Sequence, residues 1–239
     1  MLNIKVIGTG SSGNCYVLEV GVDSLIIECG SVQFLKLKKS LNYDFSRVRG
    51  ALISHSHKDH CGDVKKILQC GIHTLGTAEV FNGCEQYSAF CHTAKHLRGV
   101  KFGQFRVLPL AMRHDIECFG YLISIADTTL LFATDTTDIP YSLPQVDYLM
   151  IESNYSRKII DEKLFEGSLT NYLHHRIIRS HMSLETAIFF ILGQKRLKGI
   201  LLIHLSADNA RKEEFQQLVA EKSGVLTYVA TNGISYEFI

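Results

Sequence analysis

The sequence predicts a layered α/β protein in which helices lie outside two β-sheets. Three observations lead there. Short β-branched runs separated by glycine turns fill the first third of the chain. Helical patterns fall between the later strands. Several metal-ligating residues stand directly after short apolar runs, where strand ends can converge on one rim.

In chain order, Ile4–Ile7, Cys15–Val20 and Ser24–Glu28 read as strands, and Ala51–Ser54 as a fourth. Asp63–Gln69 reads as a helix, with Val64, Ile67 and Leu68 on one face. Phe105–Leu110, Tyr121–Ile125, Leu130–Ala133 and Tyr148–Ile151 read as further strands. Leu184, Ala187, Ile188 and Ile191 at helical spacing predict a helix over Ser183–Leu192, with Ser183 as its N-cap. Leu201–Ile203 reads as a buried strand, and Asp208 as the N-cap of a helix over Asn209–Glu221. Val225–Val229 and Gly233–Phe238 close the chain as strands.

The 239 residues, 46% hydrophobic and 21% charged, suit one domain over 1–239 with a sizeable core. A net charge of +1 excludes a strong whole-molecule pull on nucleic acid, so such binding needs a local basic patch. The seven cysteines include no C-x-x-C pair, which argues against a disulfide scaffold and for a reducing compartment. No basic-then-apolar leader and no membrane-length apolar run is visible, so a cytoplasmic protein without a membrane partner is expected.

The most informative stretch is Ile53-Ser54-His55-Ser56-His57-Lys58-Asp59-His60. Imidazoles and a carboxylate, the donors that borderline divalent cations prefer, are packed into one loop behind an apolar strand. The spacing gives His55 and His57 to one ion and Asp59 and His60 to a second. Two ions need more donors. His114 follows Val107–Leu110, Asp135 follows Leu130–Thr134, and His204 follows Ile200–Ile203. Each alone reads as a loop residue; together they read as a ligand set.

On these residues the sequence resembles the metallo-β-lactamase superfamily, whose ordered ligands are H-x-H-x-D-H, His, Asp and His. The resemblance spans nearly the whole chain and implies an αββα sandwich of two mixed β-sheets flanked by helices. It also implies that His55, His57 and His114 hold one metal, that Asp59, His60 and His204 hold the other, and that Asp135 bridges them. Two divalent ions, zinc or manganese with iron as a further option, would lower the pKa of a water and make the protein a hydrolase.

Three further features narrow the substrate. Gly8–Asn14 is a Gly/Ser loop after the first strand, a candidate phosphate nest with Ser11, Ser12 and Asn14, or else a tight turn. Glu152-Ser153-Asn154 ends a strand, and His181 precedes the Ser183 cap. In ribonuclease Z-like phosphodiesterases of the superfamily a Glu and a His at these places form an acid pair. Glu152 and His181 match it, with His181 protonating the leaving oxygen. The resemblance makes Asp59, His181 and Glu152 the expected catalytic residues.

The motifs G-T-G-S-S-G-N-C-Y, I-E-S-N and H-M-S-x-E together are most similar to the YycJ/WalJ-type group, associated with 5′ exonuclease action on DNA. Ser180 and Thr137 stand where that group usually has glycine, and Tyr155-Ser156 where a His-Asp pair is usual. The resemblance therefore implies a dinuclear 5′-to-3′ exonuclease acting on DNA ends. Its rival is a small-molecule metallo-hydrolase of cyclic phosphodiesters, lactones or thioesters, in which losing His181 costs little. Residues 153–180 carry Tyr172, Arg176 and Arg179. They read either as a substrate flap, with Asn154, Arg176 and Arg179 on the substrate, or as an amphipathic helix with Leu173, Ile177 and Ile178 toward the core.

Overall fold

The structure is a computed structural model describing residues 2–143 and 146–238. The N-terminal runs form β1 (Leu2–Gly8), β2 (Cys15–Val20), β3 (Asp23–Ile27) and β4 (Val48–Leu52). β5 (Thr74–Gly76), β6 (Cys91–Thr93) and β7 (Val100–Phe102) have no counterpart in the sequence reading, because three residues are too few to show a period. Then come β8 (Phe105–Ala111), β9 (Phe119–Ile125), β10 (Thr128–Ala133) and β11 (Tyr148–Glu152). β12 (Gly199–Ile203), β13 (Leu226–Val229) and β14 (Ser235–Phe238) complete the set.

The strands form two seven-stranded sheets, in the orders β14-β1-β2-β3-β4-β5-β6 and β13-β12-β11-β10-β9-β8-β7. Both are mixed. β14 through β3 pair antiparallel and β3 through β6 parallel. β7 through β10 pair antiparallel and β10 through β13 parallel. The sheets face each other across a core that includes Ile4, Leu18, Ile27, Ile123, Phe132 and Leu201. Phe132 and Leu201 are fully buried, each contributing about 1.5–3 kcal/mol.

Helices cover the outer faces. On the first sheet lie α1 (Phe34–Ser40), the short α2 (Lys58–Cys61) and α3 (Val64–Gln69), with Leu37, Val64 and Ile67 packed on Val17, Ile26 and Ala51. After β11 come α4 (Arg157–Phe165), α5 (Asn171–Ser180), α6 (Leu184–Leu192) and α7 (Lys212–Ser223). Leu184, Ile188 and Phe215 pack on Leu131, Leu149 and Ile200 of the second sheet. This explains the unbroken apolar run of β12: Leu201 and Ile203 face the other sheet, Ile200 and Leu202 the helices. The result is the expected αββα sandwich.

Ser183 caps α6 as expected, its hydroxyl accepting the Thr186 N–H at 3.1 Å. Asp208 does not cap α7, which begins at Lys212 after Arg211. The Asp208 and Asn209 N–H groups instead donate to Ser206 Oγ, closing a turn ahead of the helix. Residues 153–180 fold largely into α4 and α5. Contrary to the amphipathic reading, Leu173 and Ile178 do not face the core; they are 41% and 40% exposed. α5 packs against α4 rather than on the sheet, so its apolar side chains have no core to enter. No helix among the described residues is long and apolar enough to cross a membrane.

Candidate metal centre and active site

Strand register brings the ligand-type residues to one edge of the sandwich. Ala133 pairs with Ile151, Ile151 with Leu202 and Glu152 with Ile203. Asp135, Glu152 and His204 therefore emerge side by side at the C-terminal ends of parallel strands, where open α/β sheets present their sites. The loop after β4 adds His55 and His57, and α2 adds Asp59 and His60. Asp135 (φ 47°), His204 (φ 54°) and Glu28 (φ 63°) all have left-handed backbones, at a cost of about 1–3 kcal/mol each for non-glycine residues. Gly30 lets the β3 loop lie against the Asp59 carbonyl, which a Cβ would strike.

One set of donors faces a common point. His55 Nε2 lies 3.0 Å from His57 Nδ1 and 3.4 Å from Asp135 Oδ2, and His57 Nδ1 lies 3.3 Å from His114 Nε2. The far nitrogens are engaged: His55 Nδ1 meets Ser54 Oγ at 2.8 Å, and His114 Nδ1–H donates to Ser180 O at 3.1 Å. Lone pairs thus face one another, which a divalent cation satisfies and a hydrogen bond does not.

The second set adjoins it. His60 Nε2 lies 3.3 Å from Asp59 Oδ2 and 3.1 Å from Asp135 Oδ2. His204 Nε2 lies 3.7 Å from Asp59 Oδ2 and is buried without a hydrogen-bond partner. An orphaned imidazole nitrogen facing carboxylates fits a cation. The donor atoms of His55, His57, His114 and Asp135, and those of Asp59, His60, Asp135 and His204, each lie within 4.8 Å of one another. Asp135 is common to both groups.

Electrostatics follow from this layout. Burial pushes His55 well below the usual histidine range and His114 below it, so both rings stay neutral. Burial opposes charge on His60 and His204 too, but the Asp135 carboxylate raises both well above that range. Burial would raise Asp135 in turn, yet His204 and His60 hold it well below the carboxylate range. Cations at these points would displace the protons on His60 and His204.

His181 and Glu152 form a third feature. His181 Nδ1 lies 2.7 Å from Glu152 Oε1, and His204 Nδ1 lies 3.1 Å from the same oxygen. Glu152 Oε2 accepts the N–H groups of Thr136 (3.1 Å) and Met182 (3.2 Å). Burial raises the Glu152 carboxyl, but the His181 charge together with hydrogen bonds from His181 and His204 leaves the pKa lowered. Burial opposes the His181 charge, but Glu152 and Asp135 lift its pKa to about 9.

A cleft of about 470 Å³ opens over both sets, and Ser11, Asn154, Arg176 and His181 line it. Arg179 and Ser12 are exposed outside that lining, and the Ser12 carbonyl accepts from Gln33 Nε2. Asn14 is buried. Its Nδ2 lies 3.1 Å from His60 Nε2, and its Oδ1 accepts the Gly10 N–H at 2.9 Å. Asn154 Nδ2 donates to the His204 carbonyl at 2.9 Å. Cys61 is half-buried, its thiol donating to Ser56 O, and His73 pairs with His92 at 2.9 Å outside the two ligand groups.

Two neighbours of the ligands escaped the sequence reading. Glu28, fully buried, accepts the Ser54 N–H at 3.0 Å and holds Oε2 3.5 Å from His60 Nδ1. It is an acid at the end of an apolar strand, the same signal that found Asp135. Asp115 lines the cleft beside His114.

The family described as the beta-lactamase superfamily domain matches residues 27–205. The exodeoxyribonuclease WalJ of Streptococcus pneumoniae is 26% identical, over 87% of this chain and 83% of its own length. Among solved structures, the metallo-beta-lactamase fold protein YhfI from Bacillus subtilis superposes with a TM-score of 0.76 at 18% identity, covering 98% of each chain. The short form of human tRNase Z gives 0.68 at 16% identity, covering 99% of each.

Proposed function

Because the chain belongs to the metallo-β-lactamase superfamily, we propose that it is a dinuclear metal-dependent phosphodiesterase that trims DNA from the 5′ end. The observation that carries this reading is the His181–Glu152 pair beside the two ligand sets. A phosphodiester departs as a high-pKa alkoxide and needs a proton at the leaving oxygen, whereas an activated lactone or thioester needs it less. The similarity to an exodeoxyribonuclease supports DNA as the substrate.

His55, His57, His114 and Asp135 would hold one ion, and Asp59, His60, His204 and Asp135 the other. Divalent ions bound there, zinc, manganese or iron, would lower the pKa of a nucleophilic water and offset charge on the phosphoryl group. Asp59 also borders the cleft, where its carboxylate, raised by burial but held well below the usual range by His204 and His60, would orient the attacking water. Glu152 fixes His181 by its Nδ1–H, which leaves Nε2–H to protonate the departing oxygen. Ser11, Asn154 and Arg176 contact the scissile nucleotide from the cleft wall. Arg179 and the exposed Tyr172 extend this contact along α5, the guanidinium on phosphate and the ring on a base. Asn14, buried against His60, positions that ligand.

The test is a 5′-phosphorylated, 3′-labelled duplex DNA incubated with manganese- or zinc-loaded protein. Stepwise shortening from the 5′ end is expected. Turnover of RNA or of small cyclic phosphodiesters with the DNA left intact would overturn the DNA-end assignment.

A further inference from the structure

We propose that Lys58 holds the phosphate next to the scissile one, on the strand that stays after cleavage, and so fits the cleft to a polynucleotide rather than a small diester. The inference rests on the phosphodiesterase function proposed above and adds a substrate subsite to it.

Lys58 stands between His57 and Asp59, which carries its side chain beside the two donor sets. It is exposed and lines the cleft. Among the described residues its ammonium has no hydrogen bond and no ion pair. The adjacent Asp59 carboxylate does not neutralise it, because Asp59 Oδ2 faces His60 at 3.3 Å and His204 at 3.7 Å.

The root of this side chain is fixed. The Lys58 carbonyl accepts the Ser31 N–H at 2.9 Å, the Ser31 hydroxyl at 3.1 Å and the Gly62 N–H at 3.0 Å. A Cβ at Gly62 would strike both Ser31 Oγ and that carbonyl. The next carbonyl, of Asp59, accepts the Asn14 N–H at 2.7 Å and ties the start of α2 to the Gly8–Asn14 loop. That loop brings Ser11 into the same cleft. Lys58 and Ser11 therefore belong to one wall, built from the loops of the first sheet. Arg176 and His181 lie after β11 and enter from the side of the second sheet.

This layout gives the bound strand a direction. His181 protonates the leaving oxygen, so the departing nucleotide lies on the second-sheet side. The strand that keeps the phosphate leaves past Lys58. An ammonium on a flexible stem is a point charge that meets a phosphate without a fixed geometry. A diester with nothing beyond its scissile phosphate offers Lys58 no such anion.

The experiment measures initial rates on two 5′-phosphorylated deoxyoligonucleotides with manganese-loaded protein. One is a dinucleotide; the other is a trinucleotide that adds one phosphate on the retained side. Both begin with deoxyadenosine followed by thymidine, so release of dAMP marks the bond that is cut. Wild type should show a KM about tenfold lower for the trinucleotide, the worth of one charge-assisted contact. Lys58→Gln should abolish that gap by raising the trinucleotide KM, with kcat on both substrates kept. Lys58→Arg, which keeps the charge, should restore most of the gap. The slope of log KM against log salt for the trinucleotide should fall by about 0.7 in Lys58→Gln, as one phosphate contact is lost. A gap that survives Lys58→Gln, or an equal loss on both substrates, would overturn the Lys58 assignment and leave the phosphodiesterase standing. Wild-type protein that binds two ions and cleaves neither substrate would overturn both.

Discussion

Asp135→Ala will abolish phosphodiester cleavage and lower the number of divalent ions bound per chain. Among the described residues, Asp135 is the one whose carboxylate belongs to both donor groups, with Oδ2 3.4 Å from His55 Nε2 and 3.1 Å from His60 Nε2. Its loss removes the carboxylate shared by the two histidine clusters and leaves Asp59 and Glu152 only beside His60 and His204. Several kcal/mol of charge stabilisation at the phosphoryl group should go with it, a fall of at least about 10⁴-fold in rate. Elemental analysis of purified protein reads the ion count, and circular dichroism checks that the variant is folded. Two ions retained with near wild-type turnover would remove Asp135 from the centre.

His181→Ala will behave differently if, as proposed, His181 serves proton transfer rather than holding an ion, although its ring also clusters with Asp135, Glu152 and His204. Cleavage of DNA should fall by about 10²–10⁴-fold while both ions stay bound. A phosphodiester with a 4-nitrophenoxide leaving group needs no proton at departure and should lose less than about tenfold. The pH profile adds a second reading. Glu152 and Asp135 raise the His181 pKa to about 9 against the opposing effect of burial. The protonated ring is the active form, so its contribution is full below that pKa and lost as pH rises through it. Cations on Asp135 draw the alkaline limb below about 9, and Glu152→Gln should move it further toward acid. An equal loss on both substrates, with an unmoved limb, would exclude His181 as the acid.

The two sheets were legible because their central strands carry long apolar runs. β12 shows why: it is buried on both faces and reads as unbroken Ile-Leu-Leu-Ile. The strands β5, β6 and β7 were not, since each takes only three residues, too few to show a period. The α7 boundary was misjudged because Asp208 and Asn209 donate to Ser206, a local turn that a capping rule does not foresee. At the site, ligand-type residues after apolar strands could be read off one by one, and strand register brings them together. Glu28 carried the same signal but stands before the H-x-H-x-D-H motif, outside the ordered ligands that follow it. Asp115 was hidden by its neighbour, since an acid beside a histidine reads as ordinary loop polarity.

The proposed function requires these donor sets to support metal-dependent phosphodiester hydrolysis. The most direct measurement is hydrolysis of bis(4-nitrophenyl) phosphate by metal-stripped protein as manganese is added. No turnover is expected at zero ions, with a rate that rises until two ions per chain are bound and is lost fully on chelation. Two ions bound with no phosphodiester turnover, while a lactone or thioester is hydrolysed, would contradict it.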